Sequence, residues 1–211
     1  MDKDKLKNII TRIGQINPKY ELENIVPQSP KLIQFMDNPS EDVQLAAVKK
    51  DGLTIYYIIE AGIVPSEDVQ LAAVNNNGSS IYQIIYDAGI TPSEDVQLVA
   101  VKKVGDLIYD IIKVGITPSE DVQLAAVNNN GSSIGYIING GITPSEDVQL
   151  AAANQNGRVI QYIIKAGITP SEDVQLAAVN NNGYAIQHII NARITPSERV
   201  KELARSKGVN I

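Results

Sequence analysis

The run PSEDVQLAAV begins at Pro39, Pro65, Pro92, Pro118, Pro144 and Pro170 with small edits, and this recurrence constrains the chain more than any other feature. The intervals are 26, 27, 26, 26 and 26 residues. A seventh copy starts at Pro196 as PSERVKELA and then diverges, and the second copy carries one extra residue around Tyr86 and Asp87. A fixed period of about 20–50 residues marks a stacked repeat architecture. Copies two and four share VNNNGSSI and copies one and three share a Lys-Lys pair at the same place, as expected of a duplicated two-repeat block.

Each copy predicts two short helices. Thr91-Pro92-Ser93-Glu94 reads as a helix start, with Thr as N-cap, Pro at the first helical position and Glu closing a capping box. Thr117, Thr143, Thr169 and Thr195 repeat it and Asn38 substitutes, whereas Val64 has no capping oxygen, which predicts fraying of the helix after it. The first helix is expected to end at Gly52, Gly78, Gly105, Gly131, Gly157 and Gly183 in the left-handed conformation. The second helix carries isoleucines at helical spacing, Ile55/Ile58/Ile59 and Ile81/Ile84/Ile85 being the first two sets. Gly62, Gly89, Gly115, Gly141 and Gly167 end it, and Arg193 in copy six requires either a different exit or strain.

A unit this short cannot bury its apolar face alone. On a helical wheel Val69, Ala72 and Ala73 lie on one side of the first helix, with Leu71 and Val74 nearly opposite. Two apolar faces fit a helix sandwiched between its equivalents. The expected fold is an all-α, right-handed α-solenoid of about seven 26-residue, two-helix repeats with helical caps. Residues 1–37 form the expected N-terminal helical cap, with a Leu6/Ile9/Ile10/Ile13 stripe and Pro starts after Asn17 and Ser29. Residues 38–195 hold six tandem repeats, and residues 196–211 form a capping helix charged by Arg199, Lys201, Arg205 and Lys207.

PSEDVQLAAV, an Asn/Gly turn and an Ile-rich short helix resemble the short helical repeats of the HEAT-like and leucine-rich-repeat-variant groups. They are more closely similar to tandem PSE-V-LAAV arrays in uncharacterised proteins of bacteriophages and large viruses, over residues 38–205. The resemblance implies a helical repeat fold, a viral origin and a place in the host cytoplasm. It implies no enzymatic role.

Composition narrows the function classes. Without cysteine there is no disulfide, thiolate metal site or cysteine nucleophile. A net charge of −6 argues against a general nucleic-acid binder, which needs a basic surface. No long apolar run suggests a membrane span, and MDKDKLKNIITRIG carries charges where the apolar stretch of a signal peptide would lie, so a cytoplasmic protein is expected. His188 has no recognisable partner, and no phosphate loop, zinc-protease motif or nucleophile elbow occurs, so neither catalysis nor a cofactor or metal is expected.

Four patterns remain as candidate binding features. The Glu-Asp pairs complement helix dipoles, or form an acidic ladder that mimics nucleic acid; residues 39–195 carry −9 between ends of +1 and +2. Their spacing of about 9 Å is sparse beside phosphates about 3.4 Å apart along a strand. Gln44, Gln70, Gln97, Gln123, Gln149 and Gln175 fit a buried amide ladder between repeats better than a binding column. A third strip pairs each helix's Asp with a variable residue two turns on. Asp121, Asp147 and Asp173 thus share faces with Asn128, Asn154 and Asn180, while Lys49 and Lys102 neutralise the strip in copies one and three. On the second helix, Tyr57, Tyr136, Tyr162 and His188 point away from the isoleucines and should be exposed, whereas Tyr56, Tyr82 and Tyr109 should pack between repeats. The exposed set fits either a protein-binding surface or scattered surface aromatics. The favoured expectation is a non-catalytic protein–protein interaction module or scaffold, with a host defence factor as partner if the viral likeness holds. An acidic nucleic-acid mimic or nucleic-acid-associated protein, and a self-assembling structural protein forming a homo-oligomer, are the alternatives.

Overall fold

The computed structural model describes Lys5, residues 8–10, Arg12, Val26 and residues 28–211, and among them the regular elements are all helical. The first helices of the repeats are α1 (Glu41–Lys50), α3 (Glu67–Asn76), α4 (Glu94–Lys103), α6 (Glu120–Asn129), α8 (Glu146–Gln155) and α10 (Glu172–Asn181). The second helices are α2 (Ile55–Glu60), α5 (Ile108–Lys113), α7 (Ile134–Asn139), α9 (Ile160–Lys165) and α11 (Ala185–Asn191), and α12 (Glu198–Ser206) follows. Short 3-10 turns such as Gly131–Ser133 join the two helices of a repeat. The chain is therefore an all-α repeat protein of the α-solenoid class.

Residues 1–100 and residues 101–211 form two compact units. In the first, α1 packs on α3 and α2 on the second helix of copy two. In the second, α6, α8, α10 and α12 pack in succession, and α5, α7, α9 and α11 make a parallel layer. The core is aliphatic. Two isoleucines per second helix, Ile134 and Ile137 among them, are under 2% exposed, and Val122, Ala126 and Val127 of α6 show how the first helices bury their Val and Ala positions. Each fully buried Ile contributes about 1.5–3 kcal/mol relative to an exposed one. The third isoleucine of the stripe is only half-buried at Ile59, Ile112, Ile138 and Ile164, and Ile190 is exposed.

Several local expectations need correction. The first helices open at the glutamate, two residues later than a Thr cap implies, because serine is the cap. Ser66, Ser119, Ser145, Ser171 and Ser197 accept from the N–H three residues on at 3.3–3.4 Å. Proline therefore stands outside the helix, and Val64 costs nothing: α3 has the same ten residues as α6. Asn38 does not cap α1 but sits exposed at φ +53°, a region that Asn tolerates. Ser29 precedes the 3-10 helix Pro30–Phe35 without a side-chain cap bond. In the N-terminal stripe Ile10 is buried and Ile9 exposed, while Leu6, Ile13 and the Asn17-Pro18 start lie outside the described residues.

The glycine after the first helix is also explained differently. Gly52, Gly105, Gly131 and Gly157 are not left-handed. A Cβ on Gly105 would stand 2.5 Å from the Ala126 carbonyl oxygen of the next repeat, and one on Gly131 would stand 2.8 Å from that of Ala152. The same oxygen faces Gly52 from Ala73 and Gly157 from Ala178. Close backbone approach, not turn geometry, demands glycine here. An asparagine closes the junction: Asn129 Oδ1 accepts from the Gly105 N–H at 2.8 Å and its Nδ2 donates to the Lys102 carbonyl at 2.9 Å. Asn76 and Asn181 make the same pair of bonds, whereas Gln155, one methylene longer, makes no bond to Gly131. The glutamine column is no ladder either. Each Gln Nε2 donates at 2.9–3.0 Å to the proline carbonyl five residues back, so it seals its own repeat.

The second-helix glycines are left-handed as expected, with φ between +63° and +87° at Gly62, Gly89, Gly115, Gly141 and Gly167. Arg193 accepts the strain: its φ is +61°, and it keeps the exit bonds Arg193 N–H to Ile190 O (2.9 Å) and Ile194 N–H to Ile189 O (3.2 Å). The extra residue of copy two is absorbed as a π-helical segment, Gln83–Asp87, in which the Ala88 N–H reaches back to Gln83 O at 2.9 Å. In α12, Arg199 and Arg205 are exposed, as is Lys207 just after it, while half-buried Lys201 holds Glu198 at 2.6 Å and keeps that carboxyl below its usual range.

Two variant sets test these junctions by urea denaturation. Gly105→Ala should lose about 1–3 kcal/mol through the clash, although Ala at a permissive backbone would gain about 0.4–1 kcal/mol; Arg193→Gly should instead gain about 0.5–1 kcal/mol. Gln155→Asn should add about 0.5–1.5 kcal/mol by restoring the asparagine bridge to Gly131. An unchanged midpoint in Gly105→Ala would remove close approach as the reason for the glycine.

Candidate functional site

The chemistry-bearing side chains divide between two surfaces. On the first helices, Asp121, Asp147 and Asp173 are exposed, as are Asn128, Asn154, Asn180, Lys49 and Lys102. Each Asp shares a helical strip with the Asn or Lys two turns later. The adjacent Asn is different. Asn76, Asn129 and Asn181 are committed to the junction bonds, so an Asn-Asn pair in the sequence splits into one surface residue and one structural residue. The Glu of the acidic pair is committed too: Glu41 and Glu120 accept from the Oγ of Ser66 and Ser145, and Glu172 accepts from Ser197 Oγ at 2.6 Å. These three glutamates of the acidic ladder thus join repeats.

The second helices carry the aromatic surface. Tyr136 and Tyr162 are exposed as expected, at 37% and 42%, but Tyr57 and His188 are half-buried. Tyr56, Tyr82 and Tyr109, expected to pack between repeats, are exposed at 40%, 37% and 44%. The reason is local. Only the first two isoleucines of each set are fully buried, so the buried face centres between them, and positions 56 and 57 with their equivalents both lie about 130° from that centre. Position 56 and its equivalents lean outward toward the next repeat.

In the first unit, Tyr56 and Tyr57 meet edge-on with ring centroids 5.3 Å apart, and Tyr82 stacks on Tyr86 at 6.2 Å. The Tyr56 hydroxyl donates to Glu60 Oε1 at 3.1 Å, and that bond with the carboxylate's charge raises the phenol above its usual range. A recess of about 380 Å³ lies beside Tyr57, Glu60 and Asn38.

In the second unit the aromatics form a row with two grooves. Tyr109 of α5 and Tyr136 of α7 touch at 5.3 Å with planes tilted by 55°, and Lys113 Nζ stands 5.5 Å from the Tyr109 ring centre. Between α5 and α7 lies a groove of about 370 Å³ lined by Tyr109, Ile112, Lys113, Tyr136, Asn139 and Gly140. A second groove of about 280 Å³ lies between α7 and α9, lined by Gly135, Ile138, Asn139, Tyr162, Lys165 and Ala166. Sequence reasoning missed Ile112, Ile138, Lys113 and Lys165. The signal present in the sequence was variation: the residue closing each second helix changes among Glu60, Lys113, Asn139, Lys165 and Asn191.

Gly135 shapes the second groove. Its equivalents are Tyr56, Tyr82, Tyr109, Gln161 and Gln187, and a Cβ placed on it would have only Tyr162, at 3.9 Å, as a neighbour. No packing requires glycine there, although glycine inside a helix costs about 1 kcal/mol relative to Ala. Its smallness leaves the α7–α9 groove open beside Tyr162.

Among the described residues no helix is long and apolar enough to cross a membrane, and no group of three or more His, Asp and Glu side chains is arranged to hold a metal ion. No protein-family model matches the sequence, and comparison with curated proteins gives no match.

The surface role of the row separates it from the core. Tyr136→Ala should cost about 0.5–1.5 kcal/mol through the lost Tyr109 contact, whereas Ile137→Ala, one residue on and fully buried, should cost about 2–5 kcal/mol. Equal losses in chemical denaturation would mean that Tyr136 is a packing residue.

Proposed function

We propose that this chain is a non-catalytic docking module for another protein, and that the second-helix face carries the contact. The observation behind this reading is the row Tyr109–Tyr136–Tyr162, exposed along two grooves on consecutive repeats. Tyrosine presents a large amphipathic area at low entropic cost, which makes it a favoured anchor in interfaces. The helices beneath it are fixed by buried isoleucines, so the row is displayed on a rigid support. The resemblance to repeat arrays of bacteriophages and large viruses adds a proposed setting: a viral protein in the host cytoplasm, engaging a host factor involved in defence.

Nucleic-acid mimicry is the weaker reading. Glu41, Glu120 and Glu172 are engaged by serines of the neighbouring repeat, and the free aspartates recur only once per repeat. Self-assembly is weaker as well, since the charged face of α12 disfavours open-ended stacking.

Affinity capture with immobilised chain tests the reading. A specific protein should be retained by the parent chain and lost from a Tyr109→Ala, Tyr136→Ala, Tyr162→Ala variant that keeps its helical circular dichroism. Retention by both chains would refute the tyrosine face. Elution of a nucleic-acid-binding protein over a modest rise in salt would favour mimicry.

A further inference from the structure

Both grooves of the second unit flank α7, share Asn139 and repeat with the helix stack. Packed helices lie about 8–10 Å apart, so equivalent points in the two grooves are separated by that distance. An occupant that fills both must offer equivalent side chains at the same interval. A β-strand repeats its facing side chains every two residues, about 6.6–6.8 Å. An α-helix repeats them every turn, about 5.4 Å. A polyproline II chain has three residues per turn at about 3.1 Å rise, which returns the same face every 9.3 Å or so. Only the last matches the grooves one to one.

The lining agrees with that occupant. Proline-rich chains dock in aromatic-lined grooves, and here Tyr109 with Tyr136 borders one groove and Tyr162 the other. Charge fixes the flanking chemistry. Lys113 stands in the first groove and Lys165 in the second, and the only acid on α5, α7 and α9 is the half-buried Asp110. The face therefore complements carboxylates, although the whole chain carries −6.

We propose that the grooves flanking α7 bind an acidic, proline-rich segment of a partner in the polyproline II conformation, one residue of each triplet seated per groove and its carboxylates toward Lys113 and Lys165; this rests on the docking role proposed above. A single-stranded nucleic acid would also use tyrosine and lysine, but the tilted, touching rings of Tyr109 and Tyr136 leave no slot for a base between them. Gly135 keeps the second groove deep enough for a pyrrolidine ring.

Fluorescence anisotropy with a short labelled peptide of Glu-Pro-Pro triplets tests this on the full chain. It should bind about tenfold or more tightly than peptides of Glu-Gly-Gly or Lys-Pro-Pro triplets. Gly135→Gln and the double variant Lys113→Glu, Lys165→Glu should each weaken it by about tenfold. Gly135→Gln raises helix propensity, so lost binding in that variant is not lost folding. Equal affinity for Glu-Gly-Gly triplets, indifference to Gly135→Gln, or displacement by an oligothymidylate would overturn the assignment. If a captured protein depends on Tyr136 while no Glu-Pro-Pro peptide binds, the docking role stands and the polyproline II segment is wrong.

Discussion

The carbonyl oxygen of Ala126 fills the place where a Cβ on residue 105 would stand, and Asn129 closes the same gap by accepting from the Gly105 N–H and donating to the Lys102 carbonyl. The arrangement recurs at Gly52 with Ala73 and Asn76, and at Gly157 with Ala178 and Asn181. Backbone thus meets backbone at the junction, and the separation between repeats is set there rather than by side-chain bulk. Side chains facing across the first-helix layer must then be small, which accounts for the buried alanines at 47, 73, 126, 152 and 178. The larger volume of isoleucine is confined to the second layer. Among the described residues no aromatic ring is consequently found in the set of fully buried side chains.

That confinement also determines where variation can be displayed. The first helices spend both apolar faces on their neighbours, with Glu41, Glu120 and Glu172 given to serines and Asn76, Asn129 and Asn181 to the junction. The exposed Asp and the variable residue two turns on lie outside these bonds. A second helix has one buried stripe, and its outer side is open to Tyr, Gln, Gly or His without cost to the stack. The copies differ most on this side, and the differences act between repeats: Tyr109 leans on Tyr136, whereas Gly135 leaves Tyr162 uncovered. Two grooves of different lining arise from one scaffold by four substitutions at equivalent positions, Tyr109 against Gly135, Lys113 against Asn139, Asn139 against Lys165 and Gly140 against Ala166.

The sequence disclosed periodicity, and with it the class of fold, the two helices per repeat, the buried isoleucines and the left-handed exits at Gly62 through Gly167. All of these follow from local spacing or from volume. What it did not disclose depends on distances between repeats. Gly105 reads as a helix terminator because nothing local shows the Ala126 oxygen above it. Gln123 reads as a ladder residue because a recurring buried amide needs an acceptor, and the wheel cannot tell its own Pro118 carbonyl from a neighbour's. Tyr109 reads as inward-facing because the wheel centres the stripe on three isoleucines, whereas only Ile108 and Ile111 are fully buried and Ile112 beside Tyr109 is not. The candidate grooves were the least legible, since each is made by residues from two repeats.

The extra residue of copy two shows which part of a repeat can change length. It lies in the second helix and is absorbed within one turn: the Ala88 N–H bonds to Gln83 O, and Gly89 recovers the left-handed exit at φ +63°. The widened turn keeps Ile81, Ile84 and Ile85 buried and carries Tyr86 out beside Tyr82 at 6.2 Å. A comparable insertion in a first helix would shift the alanine that faces the preceding glycine and the asparagine that bridges to it, and both junction contacts would be lost at once. The ten residues of each first helix are thus held to length by what they touch, and the second helix is the segment where a repeat can gain a residue, a ring or a groove while the stack stays intact.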